Sequence, residues 1–343
     1  MLSDSKILEI KQLLTQQKRI VITSHTNPDG DAIGSSLAMY HYLKKLGNDV
    51  QMLVPNSFPD FYSWLPDTDK IVIYDKQSKY AQKLLREADI IFSLDYNALH
   101  RLGSLHEIVR ATTCTRILID HHIDPETESF NYCYSTTDTS STGELVYDFI
   151  TMLGHEDIID KKTGEAIYTG IVTDTGSFSF SCNRPNTYII TSKLVSLGVD
   201  AQKIHKLIYD TFSENRLRLL GHAISNRMIV WKELHTALIY LNKSDLANFN
   251  YQVGDTEGMV NYPLSMNDVN MSLLITEKDN LLRLSFRSKG NFSVNDLSRA
   301  HFNGGGHKNA AGGKSTESID ELIDRLKSIL QDYKEDLNYT ITL

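Results

Sequence analysis

Residues 19–31 read R-I-V-I-T-S-H-T-N-P-D-G-D, and the fold is decided there. Residues 19–23 form a short β-branched run that reads as a buried strand. An Asn-Pro-Asp-Gly turn follows, and residues 31–46 then carry a helical pattern closed by Gly47. The alternation recurs outward from this point. Residues 50–54, 70–74, 90–94 and 116–119 are further strand candidates, with helical stretches such as residues 76–86 between some of them. Continuous apolar strands separated by helices indicate a mainly parallel sheet covered on both faces. Residues 141–228 read mostly as helix, including 161–173 and 187–197, and residues 214–230 as a helix leading into a second domain. There the pattern changes: residues 236–241, 269–276 and 281–287 look like strands, and residues 318–333 like a closing amphipathic helix. The expectation is an α/β protein. Residues 1–195 would form an N-terminal domain with a mainly parallel sheet flanked by helices, 196–231 a helical linker, and 232–343 a smaller α/β domain.

A length of 343 residues, 41% hydrophobic and 23% charged, suits a soluble globular protein of two domains and excludes a disordered one. The 35 Lys and Arg against 43 Asp and Glu leave a net charge of −8. Long duplex nucleic acid, held mainly by neutralising its phosphates, is therefore not an expected partner. A small phosphate ligand on a local basic patch is compatible with this balance. No apolar run approaches the roughly 20 residues of a membrane span, and residues 1–18 lack a signal-peptide core, so no membrane association is expected. The three cysteines, Cys114, Cys133 and Cys182, form neither a disulfide framework nor a C-x-x-C metal pair, which fits a reducing cytoplasm.

Acidic and imidazole groups follow the expected strands. His25, Asp29 and Asp31 come after the first, Asp95 after residues 90–94, and Asp120, His121 and His122 after residues 116–119. Asp174 follows the apolar stretch 166–172 and is read as a fourth segment in the same strand-end position. The carboxyl ends of strands in an open α/β sheet line the ligand crevice, so the four segments can converge. Five carboxylates and three imidazoles with almost no cation among them would repel unless protonated. Divalent metal ions remove that conflict, and a carboxylate–imidazole mixture suits Mn²⁺. Two ions about 3.5–4 Å apart, bridged by a carboxylate, suit in-line displacement at phosphorus with a hydroxide nucleophile. Singly, each segment has an ordinary explanation, such as a turn or a helix cap; together the four favour chemistry.

Asp120-His121-His122 behind the apolar I-L-I, with H-T-N-P-D-G-D-A-I-G-S upstream, resembles the DHH phosphoesterase superfamily. That superfamily includes RecJ nucleases, family II pyrophosphatases, exopolyphosphatases and nanoRNase/pAp phosphatases. Asp95 in S-L-D corresponds to its second motif and Asp174 in G-I-V-T-D-T-G-S-F to its fourth. F-R-S at 286–288 and G-G-G-H-x-x-A-A-G at 304–312 resemble the DHH-associated substrate-binding domain. The resemblance implies two Mn²⁺ ions, with Mg²⁺ or Co²⁺ as substitutes. His25 and Asp29 would hold one, Asp31, His121 and Asp174 the other, and Asp95 would bridge them. It also implies His122 at the scissile phosphate, Asp120 orienting the imidazoles, and Arg287, Ser288, Gly304, Gly305, Gly306 and His307 binding substrate.

The glycine-rich segment has a rival reading, because it ends Gly313-Lys314-Ser315. A P-loop needs glycine where Lys308 stands, so nucleoside triphosphate hydrolysis is unsupported. Three glycines before His307 suggest instead backbone amides approaching an anion. Residues 280–315 reinforce this, with six Lys or Arg against the single acid Asp296. The expected protein is a cytoplasmic Mn²⁺-dependent phosphodiesterase or exonuclease for short oligonucleotides and/or 3′-phosphoadenosine 5′-phosphate (pAp), with a homodimer unsurprising. Competing enzyme readings are a cyclic di-AMP or pApA phosphodiesterase and an exopolyphosphatase- or pyrophosphatase-type hydrolase. A non-catalytic nucleotide sensor would carry a broken ligand set, and here no ligand is missing.

Overall fold

The structure, a computed structural model, describes residues 2–278 and 281–339. Asn280 of the basic segment, and Met1 and residues 340–343 at the ends of the expected domains, lie outside the described residues. Two units divide between Thr211 and Phe212.

The first unit contains α1 (Asp4–Leu14), β1 (Arg19–Thr23), α2 (Gly30–Lys45), β2 (Asp49–Val54), β3 (Ile71–Ile73), α3 (Tyr74–Glu87), β4 (Ile90–Leu94), α4 (His106–Arg110), β5 (Thr115–Asp120), β6 (Tyr132–Ser135), α5 (Thr142–Met152), α6 (Lys161–Asp174), α7 (Pro185–Ser196) and α8 (Ala201–Tyr209). Its sheet has the order β3-β2-β1-β4-β5-β6 with every pairing parallel. Successive strand side chains go to opposite faces. Ile20, Ile22, Met52, Ile90 and Phe92 pack in a core with α1, α2, α5, α6, α7 and α8, while Val21, Leu53, Val72, Ile91 and Leu118 pack with α3 and α4. With both faces covered, the central strands are buried over most of their length and read as unbroken apolar runs. The strand order reverses between β1 and β4. Loops leaving those two strands diverge, and this opening is where open α/β sheets bind ligands.

Three close helix contacts position what surrounds that opening. A Cβ on Gly34 would stand 2.5 Å from the Ala166 carbonyl oxygen, one on Gly170 2.5 Å from Asp31 Oδ1, and one on Gly143 3.1 Å from the Ile167 carbonyl oxygen. Glycine at these positions lets α2, α5 and α6 pack backbone to backbone. The start of α2 and the end of α6 are thereby brought together. Asp174 is accordingly the last residue of a helix, not a residue after a strand, and the strand-end reading of that segment is corrected. Strand β6 was not expected, because Y-C-Y-S is short and only half-buried at the sheet edge.

The second unit contains α9 (Glu214–Asn226), β7 (Met228–Trp231), β8 (Thr236–Leu241), α10 (Lys243–Asn248), β9 (Met271–Lys278), β10 (Leu281–Ser288), α11 (Val294–His301), β11 (Gly305–His307), β12 (Ala310–Ser315), α12 (Ile319–Gln331) and α13 (Lys334–Leu337). Its sheet, β11-β12-β10-β9-β8-β7, is antiparallel except between β8 and β9. Leu273, Ile275, Leu284 and Phe286 face Leu297 of α11 and Leu322, Leu326 and Leu330 of α12. Ile239, Leu241 and Leu274 face Leu219 and Ala223 of α9 on the opposite side. The helix expected to reach residue 230 stops at Asn226, because M-I-V-W begins β7. Of the expected helical linker, α8 falls in the first unit and α9 in the second.

Candidate metal centre

His25 follows β1 and its Nδ1 donates to the Thr26 carbonyl oxygen, 2.9 Å away. That bond fixes the ring so that Nε2 faces the carboxylates, 3.8 Å from Asp29 Oδ2 and 3.4 Å from Asp95 Oδ2. Asp29 caps α2: its Oδ1 accepts from the amides of Asp31 and Ala32, both at 3.1 Å, leaving Oδ2 for the centre. Asp31, in the first turn of α2, accepts from Thr142 N at 2.6 Å and Gly143 N at 2.8 Å. Those amides are the first two of α5, where the helix dipole favours a negative charge. Asp95 follows β4 in a left-handed conformation, φ +64°, and its Oδ1 accepts from Thr142 Oγ1 at 3.0 Å. His121 Nε2 stands 3.7 Å from Asp31 Oδ2, 3.4 Å from Asp95 Oδ1 and 3.5 Å from Asp174 Oδ2. All six expected ligands therefore converge around the switch point.

The spacing decides what these contacts are. A hydrogen bond between an imidazole nitrogen and a carboxylate runs about 2.7–3.2 Å. Two ligand atoms each about 2.1 Å from a shared ion, at angles of about 90–110°, stand roughly 3.0–3.4 Å apart. The separations of 3.4–3.8 Å involving His25 and His121 lie nearer the second pattern. His122 behaves differently. Its Nδ1 lies 2.7 Å from Asp120 Oδ1 and its amide donates to Asp120 Oδ2 at 3.0 Å, so this is a direct pair. His25, Asp29 and Asp95 form one group able to hold an ion, and Asp31, Asp95 and His121 a second, with Asp95 common to both.

Electrostatics point the same way. Burial lowers the affinity of His25 for a proton, but the neighbouring Asp29 and Asp95 carboxylates outweigh it and raise the ring to about 10. Burial also opposes charge on His121, yet Asp174 and Asp95 raise that ring to about 10. Asp31 is raised well above the ordinary carboxylate range by burial and by the charges of Asp95 and Asp174. Asp120, fully buried, is raised to about 6 chiefly by burial. Packed without a cation, the carboxylates demand positive charge, and the two imidazoles supply it as protons. A divalent ion fits that demand, and the donor set is of the imidazole–carboxylate type.

The expected substrate residues lie in the second unit. Arg287 on β10 and His307 on β11 are both paired with Ala310 of β12, so strand register puts all three on one face, opposite the buried Phe286. Arg283 and Lys314 are paired on that same face. Of the Gly304–Gly306 amides expected to face an anion, Gly304 N donates to the Ser298 carbonyl oxygen at 3.3 Å. Gly305 to His307 form a hairpin edge with β12, and Gly306 N is already spent on Asn295 Oδ1 at 2.9 Å. Glycine is needed there for space, since a Cβ on Gly304 would stand 1.9 Å from the Gly312 carbonyl oxygen. Ser288 Oγ donates to the Phe292 carbonyl oxygen at 2.7 Å and accepts from Asn309 Nδ2 at 2.9 Å, which fixes a turn.

Sequence reasoning missed Thr142 and Gly143, which hold two of the carboxylates. Ser141-Thr142-Gly143-Glu144 does carry the cap signature of a helix start, with Ser141 Oγ accepting from Glu144 N. The cap was readable; the contacts of Thr142 with Asp31, 111 positions earlier, and with Asp95, 47 positions earlier, were not.

Doubly wound topology, a carboxylate–imidazole centre at the switch point and a separate mixed-sheet unit define a two-unit phosphoesterase architecture. Residues 19–171 match the DHH family, N-terminal domain, and residues 236–332 match the DHHA1 domain. The chain belongs to the DHH family and is a phosphoesterase of that family. A solved exopolyphosphatase-related protein from Bacteroides fragilis is 42% identical, with a TM-score of 0.92 over 98% of each chain. The bifunctional oligoribonuclease and PAP phosphatase NrnA of Bacillus subtilis is 23% identical, over 95% of this chain and 99% of that one. Its namesake from Thermus thermophilus is 27% identical, over 93% and 90%.

Proposed function

We propose that this phosphoesterase is a Mn²⁺-dependent hydrolase of very short oligonucleotides and of pAp, working in a reducing cytoplasm. The observation that carries the reading is the shared carboxylate, Asp95, common to two ligand groups whose spacing suits ions. His25 and Asp29 serve one ion, Asp31, His121 and Asp174 the other. Two such ions, when bound, neutralise phosphoryl oxygens and lower the pKa of a coordinated water. The chain's own residues orient and move protons. Thr26 holds the His25 ring, Thr142 and Gly143 fix the carboxylates of Asp31 and Asp95, and Asp120 engages His122 Nδ1. His122, held by Asp120, is the imidazole that exchanges a proton with a phosphate oxygen. Arg287 and His307 contribute phosphate and base contacts from the second unit.

The Bacillus and Thermus relatives, named as oligoribonuclease and PAP phosphatase, support this substrate class. The name of the Bacteroides protein supports exopolyphosphatase as a second reading. The test is EDTA-stripped protein reloaded with Mn²⁺, Mg²⁺ or Co²⁺ and assayed on pAp, di- to pentanucleotides, pApA, cyclic di-AMP, pyrophosphate and polyphosphate. Mn²⁺ should restore turnover best, with short nucleotides and pAp the fastest substrates. Fastest turnover of polyphosphate would transfer the assignment to the second reading, and full turnover without metal would end both.

A further inference from the structure

Arg101 belongs to none of the ligand groups, yet its surroundings tie it to the centre. It lies six residues after Asp95, on the 3-10 turn Leu99–Leu105 that leaves β4. The Arg101 carbonyl oxygen accepts from Thr26 N at 2.9 Å and from Thr26 Oγ1 at 3.0 Å, which stitches this turn to the loop carrying His25 and Asp29. Gly103 makes the approach close: its φ is +55°, and a Cβ there would stand 2.7 Å from Thr26 Oγ1. Within this frame, Nη1 of the guanidinium is buried and has no hydrogen-bond partner among the described residues. The charge is felt at the centre, where it lowers the proton affinity of His25 and Asp120.

A guanidinium cannot escape burial by losing its proton, so an unspent buried donor calls for an anionic acceptor. The acceptors of the centre have other work. Asp120 is engaged with His122, Asp31 with the start of α5, and Asp95 with Thr142 and the imidazoles. A phosphoryl group arriving at the centre brings acceptors that match the planar fork of arginine.

We propose that Arg101 is a substrate-binding residue that grips a non-bridging oxygen of the substrate's phosphoryl group, an inference that rests on the phosphoester-hydrolase reading of this centre. Arg101→Lys keeps the charge without the fork, and Arg101→Gln keeps a donor without the charge. Both variants of the full Mn²⁺-loaded chain are compared with wild type for kcat/KM on a dinucleotide, inhibition by inorganic phosphate, Mn²⁺ affinity by calorimetry, and melting temperature. Both should lose about 10- to 150-fold in kcat/KM and in inhibition by phosphate. Mn²⁺ affinity and melting should stay at wild-type values, and added guanidinium ion should restore part of the Gln variant's activity. Wild-type kinetics and phosphate inhibition in both variants would overturn the proposal. So would a loss of Mn²⁺ affinity or melting temperature in step with activity, which would make Arg101 a structural counter-charge. Failure of the hydrolase reading looks different: wild-type protein would turn over no phosphoester, while phosphate binding by wild type and variants would still report on Arg101.

Discussion

Asp95 holds a left-handed backbone, φ +64°, which is strained for most residues with a Cβ but tolerated by Asp and Asn. Asp95→Asn therefore keeps the backbone and the Thr142 contact while removing the shared charge. Changes behind a metal ligand alone cost about 10- to 100-fold in affinity, so loss of this bridge should exceed about 100-fold, with activity falling in parallel. Calorimetry showing both ions still bound would rule out a bridging role. His25 and His121 set a second expectation. Each is raised to about 10, so without metal both rings are cationic at neutral pH. Mn²⁺ binding at about pH 7.5 should then release about two protons, and affinity should keep rising as pH climbs toward 10. Ordinary imidazoles, near 6.5, would give almost no proton release there. Calorimetry in buffers of differing ionisation enthalpy counts the protons. The linkage has a matching sign for stability. A raised imidazole stabilises the metal-free chain fully below about pH 6.5 and loses that contribution as pH rises through about 10. EDTA-treated protein should melt progressively lower across that window. The identity of these ligands was legible because each strand-end motif concentrates acids and histidines. Their proton affinities were not, because they depend on carboxylates that only folding brings within 4 Å.

Between elements, the glycines of α2, α5 and α6 carry the architecture of the centre. In an open helix interior Gly→Ala stabilises by up to about 1 kcal/mol. Gly34→Ala should do the opposite, because its Cβ would stand 2.5 Å from the Ala166 carbonyl oxygen and 2.8 Å from Gly170 N. Backbone cannot swing aside as a side chain can, so the helices must separate, at a cost of about 1–3 kcal/mol. Gly221 of α9 is the control, since a Cβ there meets nothing within 4 Å, and Gly221→Ala should raise the melting temperature. Equal effects of the two substitutions would refute the close-packing account. This packing also explains what the sequence withheld. Strands β1, β2, β4 and β5 were readable because burial on both faces leaves continuous apolar runs. The placement of Asp174 was not, because a helix end reaches the switch point only through backbone contacts between helices distant in sequence. The β11–β12 hairpin was hidden for a local reason: G-G-G-H-K-N-A-A-G-G has almost no strand-forming side chains, and its register is set by pairing with β10.

At the scale of the whole molecule, each unit has its own apolar core, and the proposed chemistry and recognition fall on different ones. The metal ligands, all in the first unit, need only a phosphoester. Arg287 and His307 share a face of the second sheet with Arg283 and Lys314, and on the proposed reading this face meets a nucleotide's charge and base. An imidazole can stack on a base, and stacking of a base on an aromatic side chain is worth about 1–3 kcal/mol. His307→Ala should therefore lower kcat/KM for short oligonucleotides by about 5- to 150-fold. A minimal phosphodiester such as bis-p-nitrophenyl phosphate has no nucleobase and should lose little. The ratio of the two losses is the measurement, because misfolding would depress both alike. His307 is a single half-buried residue of the edge strand β11 and is not one of the six proposed ligands, so its removal should leave Mn²⁺ affinity and melting unchanged. Equal losses in a variant that still binds Mn²⁺ and melts normally would assign His307 to the chemical step. No loss on either substrate would leave recognition to Arg287, for which Arg287→Lys, retaining charge but not the fork, is the corresponding probe.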